Sequence, residues 1–168
     1  TYVGDFLPAL SLNAGEQAKV WAFEPKKEHY YCSMQTLQLN GIHNTFMMHA
    51  GLGRDVREQI LQTTTDDGRV WGGGSKIVSH CETDKTEIIK IVPIDDIFPH
   101  DRKVSIIHLD VEGFETEALR GAMKTIKKSL PILILETMPD EVWLTKNLYE
   151  LGYAKAGTLH RNTILKVK

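Results

Sequence analysis

Residues 104–136 read VSIIHLDVEGFETEALRGAMKTIKKSLPILILE. Two apolar runs, 104–109 and 131–135, flank a stretch in which Phe114, Ala118, Leu119, Ala122 and Ile126 fall on one helical face. Lys124, Lys127 and Lys128 crowd the end of that predicted helix (114–128), where cations offset the helix dipole. Each apolar run closes on a carboxylate, Asp110 after the first and Glu136 after the second. A run that is apolar throughout suits a parallel strand covered on both faces. Strand, helix and strand in this order make a βαβ unit.

The same order recurs on either side. Residues 19–23 (KVWAF) form an apolar run ending in Glu24 and Pro25. Residues 26–40 are a predicted helix, with Tyr30, Met34 and Leu37 on one face and Asn40-Gly41 as its stop. Residues 45–50 (TFMMHA) are a further run, leading into Gly51-Leu52-Gly53, and residues 139–151 a further helix. Residues 153–156 and 161–167 read as two strands joined by a turn at Gly157-Thr158. The expected fold is α/β: a doubly wound, mostly parallel sheet closed by a terminal antiparallel β-hairpin. Residues 1–5 resemble the loop between a strand and a helix over 6–12, so the first strand is expected upstream of Thr1. One domain is expected, with an irregular insertion or lid around residues 54–101. In it, 63–68 and 71–75 are polar loops, 87–93 an edge strand and 95–98 a short helical turn.

Composition narrows the class. Hydrophobic residues are 42% and charged residues 25% of the 168, which fits a globular chain and excludes a disordered or fibrous one. The net charge of -2 supplies no basic excess for nucleic acid. The longest apolar stretch, 131–135, is far too short for a bilayer, and the first residues show no basic segment followed by an apolar run. Cys32 and Cys81 make no disulfide framework, so a cytoplasmic setting is expected.

In an open parallel sheet, ligands bind beyond the carboxyl ends of the strands. Gly4 and Asp5 lie in the first loop, Glu24 ends the next strand, and His49, Ala50 and Gly51 end another. Asp110, Glu112 and Gly113 follow the fourth and Glu136 the fifth. Acidic residues there either line a site or cap the next helix. An acidic residue about 20 positions after a glycine loop suits two ribose hydroxyls, and Glu24 stands so to Gly4. The ribose could belong to NAD, FAD or S-adenosylmethionine. The terminal hairpin favours the last, because class I methyltransferase sheets end on a reversed strand.

The chain also resembles a known family. Leu109-Asp110-Val111-Glu112-Gly113-Phe114-Glu115, followed by Ala118-Leu119-Arg120-Gly121-Ala122, is similar to the signature of FkbM-type methyltransferases. Val20-Trp21-Ala22-Phe23-Glu24-Pro25 resembles the family's second-strand motif, and Leu39-Asn40-Gly41 with His49-Ala50-Gly51-Leu52-Gly53 its third-strand region. Val92-Pro93-Ile94-Asp95-Asp96-Ile97 and Asn162-Thr163-Ile164-Leu165 resemble its segments before the fourth strand and in the last one. The family's opening acidic-x-Gly would lie before Thr1. The resemblance implies a Rossmann-like class I methyltransferase sheet, S-adenosylmethionine as cofactor and a hydroxyl acceptor on a sugar or natural product. Cofactor binding then falls to Gly4, Asp5, Glu24, Pro25, Ala50, Gly51 and Asp110. Asp110 is the first catalytic candidate, with Glu112 and His49 as second-rank bases. Glu112 and Glu115 could instead cap the helix at Phe114, and a histidine ending a buried strand is often bonded to backbone.

Other constellations are weaker. His80-Cys81 has no CxxC or HxxxH partner, so zinc is not expected. Asp95-Asp96 with Asp110 could take a divalent ion, but neighbouring aspartates are more often solvated, and no metal is expected. Gly72-Gly73-Gly74 lacks the Lys-Ser/Thr of a P-loop. Trp71 and Trp143 either line a pocket or belong to the core. Two other functions stay open: a nicotinamide-dependent Rossmann oxidoreductase, and a non-catalytic methyltransferase-like binding domain. The expected partner is a small-molecule or saccharide acceptor, with neither nucleic acid nor membrane.

Overall fold

A computed structural model describes residues 1–15, 17–64, 74–78, 86–99 and 101–168. The chain divides into two compact units, one of residues 1–51 with 57–91, the other of 52–56 with 92–168. Residues 71–73, His80, Cys81 and most of the polar loop 63–68 lie outside the described residues. No helix among the described residues is long and apolar enough to cross a membrane.

In the first unit, residues 1–6 form turns that lead into α1 (Leu7–Asn13). Strand β1 (Val20–Phe23), helix α2 (Lys27–Leu39) and strand β2 (Thr45–Met48) make a βαβ unit. The two strands pair in parallel from Val20↔Thr45 to Phe23↔Met48. Helix α2 stops where Gly41 turns left-handed (φ 60°), a conformation that favours glycine. Leu7, Ala22 and Leu37 form a core with Ile42 and Met47 packed on it. The buried face of α2 differs from the predicted one: it carries His29, Ser33 and Leu37, while Met34 is exposed. The reason is the N-terminal loop, which lies across the helix. The Ser33 hydroxyl donates to Tyr2 O at 3.0 Å, and a Cβ on Gly4 would come within 3.0 Å of Ser33 Cα. Polar and small residues admit a backbone there that larger apolar ones would exclude.

The middle of the chain is more regular than expected. Strands β4 (Arg57–Gln62), β5 (Lys76–Val78) and β6 (Thr86–Val92) pair antiparallel, in the order β3-β6-β4-β5 with β3 (Gly51–Leu52) at one edge. Strand β6 is therefore an inner strand, not an edge. Leu61, Ile89 and Ile91 form the core of this part, with Ile77 packed on it.

The second unit holds α3 (Ile94–Ile97), β7 (Ile106–Leu109), α4 (Glu115–Arg120), α5 (Met123–Ser129) and β8 (Ile132–Leu135). Helix α6 (Glu141–Asn147), a 3-10 turn (Tyr149–Leu151), β9 (Tyr153–Leu159) and β10 (Asn162–Val167) follow. Asp140 caps α6 by accepting the Trp143 N–H at 2.9 Å, and Trp143 is buried, which gives it a core role. The sheet runs β7-β8-β10-β9, with β7 and β8 parallel and the other pairs antiparallel. The hairpin turns at His160-Arg161 rather than at Gly157-Thr158. Gly157 lies inside β9, where the register slips by one residue at Ile164/Leu165. A glycine in a strand often marks such a bulge.

The expected doubly wound, mostly parallel Rossmann-like sheet is not what forms. The described strands lie in three separate groups: a parallel pair (β1 with β2), a mixed sheet (β7-β8-β10-β9), and a sheet in which β4 pairs antiparallel with both β5 and β6. The apolar runs misled because β7 and β8 alternate in burial. Ile106 is 56% and Ile132 40% exposed, while Ile107, Leu109, Leu133 and Leu135 are buried. A run apolar by composition is thus not a strand covered on both faces.

The predicted helix over 114–128 also breaks in two, at Gly121 and Ala122. Asp95 N–H donates to Gly121 O at 2.8 Å, and both Asp95 carboxylate oxygens accept from α5, from Thr125 N at 2.8 Å and Lys124 N at 2.9 Å. Asp95 thus caps α5. A Cβ on Gly121 would fall inside the van der Waals shell of Gly53 O and 3.1 Å from Pro93 Cα. Both obstacles are backbone, which cannot rotate away. Gly121→Ala should therefore lower unfolding free energy by about 3 kcal/mol or more, the upper range for overpacking. Gly157→Ala, whose Cβ would meet nothing within 4 Å, should stay within ~0.5 kcal/mol. Urea midpoints of both variants check this.

Candidate functional site

Glu24 follows β1 directly, and its N–H continues the ladder by donating to Met48 O at 3.1 Å. The carboxylate thus stands at the carboxyl ends of two parallel strands, and it is 95% buried by virtue of a 5% residue exposure. Oε1 accepts the Lys26 N–H at 3.0 Å, and Oε2 lies 3.1 Å from the Thr1 amine. The Thr1 hydroxyl donates to Oε2 as well, at 3.5 Å, so the further lone pair is on Oε1. Two buried groups that the sequence did not single out surround it. The Lys26 ammonium is 3.3 Å from His29 Nε2, and His29 Nδ1 is 3.8 Å from Glu24 Oε1. Burial, then the Lys26 charge, hold His29 below the usual histidine range. On the sequence both look like ordinary positions of a helical first turn.

The other candidates of this unit fall near by or serve the backbone. His49 is exposed, stacks on Tyr30 at 5.0 Å, and its Nε2 lies 3.0 Å from Pro25 O. A carbonyl only accepts, so Nε2 is the donor of this contact. Ala50 is buried, and a Cβ on Gly51 would come within 2.8 Å of Ile91 Cδ1, the movable end of a side chain. Gly4 is buried and left-handed (φ 79°), and Asp5 is exposed. A cleft of about 580 Å³ opens beside His49, lined by Lys27, Glu28, Tyr31, Glu87 and Ile88. Glu87 joins its walls by accepting the Lys27 N–H at 3.0 Å.

The second unit gathers carboxylates. Leu109 and Leu135 are partners in the parallel ladder, so the residues that follow them, Asp110 and Glu136, leave their strands side by side. Glu136 N–H donates to Leu109 O at 3.1 Å and fixes that arrangement. Glu112 (φ 54°) and Gly113 (φ 92°) are both left-handed, a turn that returns the chain on itself. One oxygen each of Asp110, Glu112 and Glu136 lies within 4.8 Å of the other two. Such a set can hold a proton or a cation. Its hydrogen bond with Asp110, then burial and the charges of Asp110, Glu112 and Glu115, push Glu136 up to about 7. The carboxyl with the raised pKa is thus Glu136, which the sequence showed only as a strand end. Glu115 is buried: Oε1 accepts the Val111 N–H at 3.2 Å, and Oε2 has no hydrogen-bond partner among the described residues. It braces the loop from beneath rather than capping a helix from its surface.

The methyltransferase FkbM domain model matches residues 1–155. The structure is similar to that of methyltransferase FkbM from Methylobacillus flagellatus KT, with a TM-score of 0.62 and 21% identity. The likeness covers 98% of this chain and 40% of that one, so the chain spans less than half the length of that protein. At this identity the likeness speaks for the fold alone. No curated protein matches the chain. The family match, over almost the whole length, is decisive: the chain belongs to the FkbM methyltransferase family.

Proposed function

We propose that the chain acts as an S-adenosylmethionine-dependent O-methyltransferase on a hydroxyl of a sugar or natural product, in a cytoplasmic setting. The observation that carries the reading is the buried Glu24 carboxylate at the ends of β1 and β2, the place and the chemistry that a ribose hydroxyl needs in an acceptor. The donor set fits a cationic cofactor, because acidic groups outnumber basic ones at the strand ends in the second unit. S-adenosylmethionine supplies an electrophilic methyl group on a sulfonium. The chain's own residues orient the reactants, since methyl transfer is an in-line displacement that depends on alignment.

The roles follow from the chemistry of each group. Glu24 accepts the ribose hydroxyls, with Pro25, Gly4, Asp5, Ala50 and Gly51 shaping the backbone around it. Asp110 offers negative charge to a cation. Glu136, pushed up to about 7 beside Asp110, suits removal of the acceptor's hydroxyl proton, because a base works best with a pKa near the working pH. Glu112 completes the cluster. His49 keeps Nδ1 as a second possible acceptor of that proton. Titration calorimetry with S-adenosylhomocysteine and with NAD tests the reading: heat with the first supports it, and heat with NAD alone overturns it. A screen with methyl-labelled donor against sugar and natural-product hydroxyls then identifies the acceptor.

Glu24→Ala should weaken S-adenosylhomocysteine binding by about 1–3 kcal/mol, the range for a hydrogen bond to a charged group. Calorimetry on the folded variant decides, and unchanged affinity removes Glu24 from the site. Asp110→Asn should slow methyl transfer by ~10²-fold or more with the fold intact, as for loss of a positioned acid–base group. Glu136 gives a third expectation. Its folded pKa is raised from 4.5 to about 7, so between those values the folded chain holds a proton that the unfolded chain has released. The associated stability is complete at low pH and lost as pH rises through about 7. The stability difference between wild type and Glu136→Gln should therefore move against wild type from pH 5 to pH 8. Denaturant midpoints measured at both pH values check it.

A further inference from the structure

The buried charges around Glu24 form a chain with one arrangement of protons. An ammonium has donors only, so at 3.3 Å from the Lys26 nitrogen His29 Nε2 has to be the acceptor. The imidazole is then neutral and carries its proton on Nδ1, the nitrogen that lies 3.8 Å from Glu24 Oε1. The ring is clamped from the other side by Tyr2, whose ring meets it edge-on at 4.8 Å. We infer that His29 is a positioning residue: its neutral ring accepts from the Lys26 ammonium and lies with Nδ1 3.8 Å from Glu24 Oε1, and by filling the space between the two groups it keeps the carboxylate aimed at the methyl donor's ribose. The inference rests on the methyl-donor reading above.

The alternative, that His29 is only a core filler, does not explain its neighbours. A filler would be matched by apolar groups. Here charged groups face the ring from several elements: Glu24 from the end of β1, Lys26 from the turn before α2 and Glu28 from α2, with Thr1 and the Tyr2 ring beside them on the N-terminal loop. The two carboxylates favour a protonated ring, whereas burial and Lys26 oppose it and prevail. Protonation would set a second cation 3.3 Å from the Lys26 ammonium, with no lone pair left to receive it. The bridge would open, and Glu24 would lose its lateral support. Cofactor binding should therefore weaken on the acid side through His29.

Glutamine can reproduce the neutral bridge, since its amide accepts at one end and donates at the other but does not titrate. The test is S-adenosylhomocysteine binding by calorimetry from pH 5 to pH 8 with wild type, His29→Gln and His29→Leu. Wild-type affinity should be level above about pH 6.5 and fall on the acid side, towards about tenfold once the ring is charged, the size of one charged contact. His29→Gln should bind within about threefold of wild type at pH 7.5 and lose most of the acid-side fall. His29→Leu should bind about tenfold more weakly at pH 7.5. Nitrogen NMR of wild type should show the His29 proton on Nδ1, a readout independent of any variant's folding. A His29→Gln profile that falls in parallel with wild type overturns the inference, as does His29→Leu binding as tightly as wild type or a proton found on Nε2. Absence of binding by wild type at every pH overturns the donor reading, and this inference with it.

Discussion

The register of β7 against β8 is the constraint on which the second unit's chemistry depends. Because Leu109 stands opposite Leu135, the next residue on each strand is a carboxylate, and the two cannot separate without slipping the whole ladder. Isolated at the surface, Asp110 and Glu136 would be two ordinary acids. Placed side by side, they share a hydrogen bond that requires a proton. The left-handed turn at Glu112 and Gly113 then adds a third carboxylate, and buried Glu115 ties the turn down through Val111. A β-ladder made of apolar side chains thus sets the protonation of polar ones.

The first unit solves the opposite problem. Its buried carboxylate is stabilised by N–H donors and by the nearby Lys26 cation rather than by a shared proton, with the neutral His29 ring lying between Glu24 and Lys26. Buried charges persist only when paired in this way. The two clusters therefore differ in what changing pH does to them. Acid disrupts the first by charging an imidazole, while base changes the second by removing a proton.

Much of this was legible in the sequence, and the failures have particular causes. Strands β1, β2, β7 and β8 and helix α2 fall within a residue or two of the apolar runs and periodic stretches that announce them. Glu24 and Asp110 could be read as strand ends. What the sequence could not supply was pairing. An apolar run does not state the direction of its neighbour, so it over-predicts parallel order; β4 lies in a stretch that reads as irregular, and β6 reads as an edge strand because nothing in its sequence names a second neighbour. The break at Gly121 is dictated by the Gly53 carbonyl, a partner distant in the chain. Glu136 was visible, but its bond to Asp110 exists only once the register is known. His29 and Lys26 lie in a helical first turn that looks solvent-facing until the N-terminal loop is laid across it.

Proton sharing between Asp110 and Glu136 has a consequence for anything positive that approaches them. A cation entering the cluster competes with the shared proton for the same lone pairs, so its arrival expels that proton to solvent. The net charge of the cluster hardly changes, and neither a bare pile of negative charge nor a neutral cavity is left behind when the occupant departs. The carboxyl pair behaves as an ion exchanger built into the end of a sheet. Its holding power is set jointly by the concentrations of the cation and of hydrogen ions.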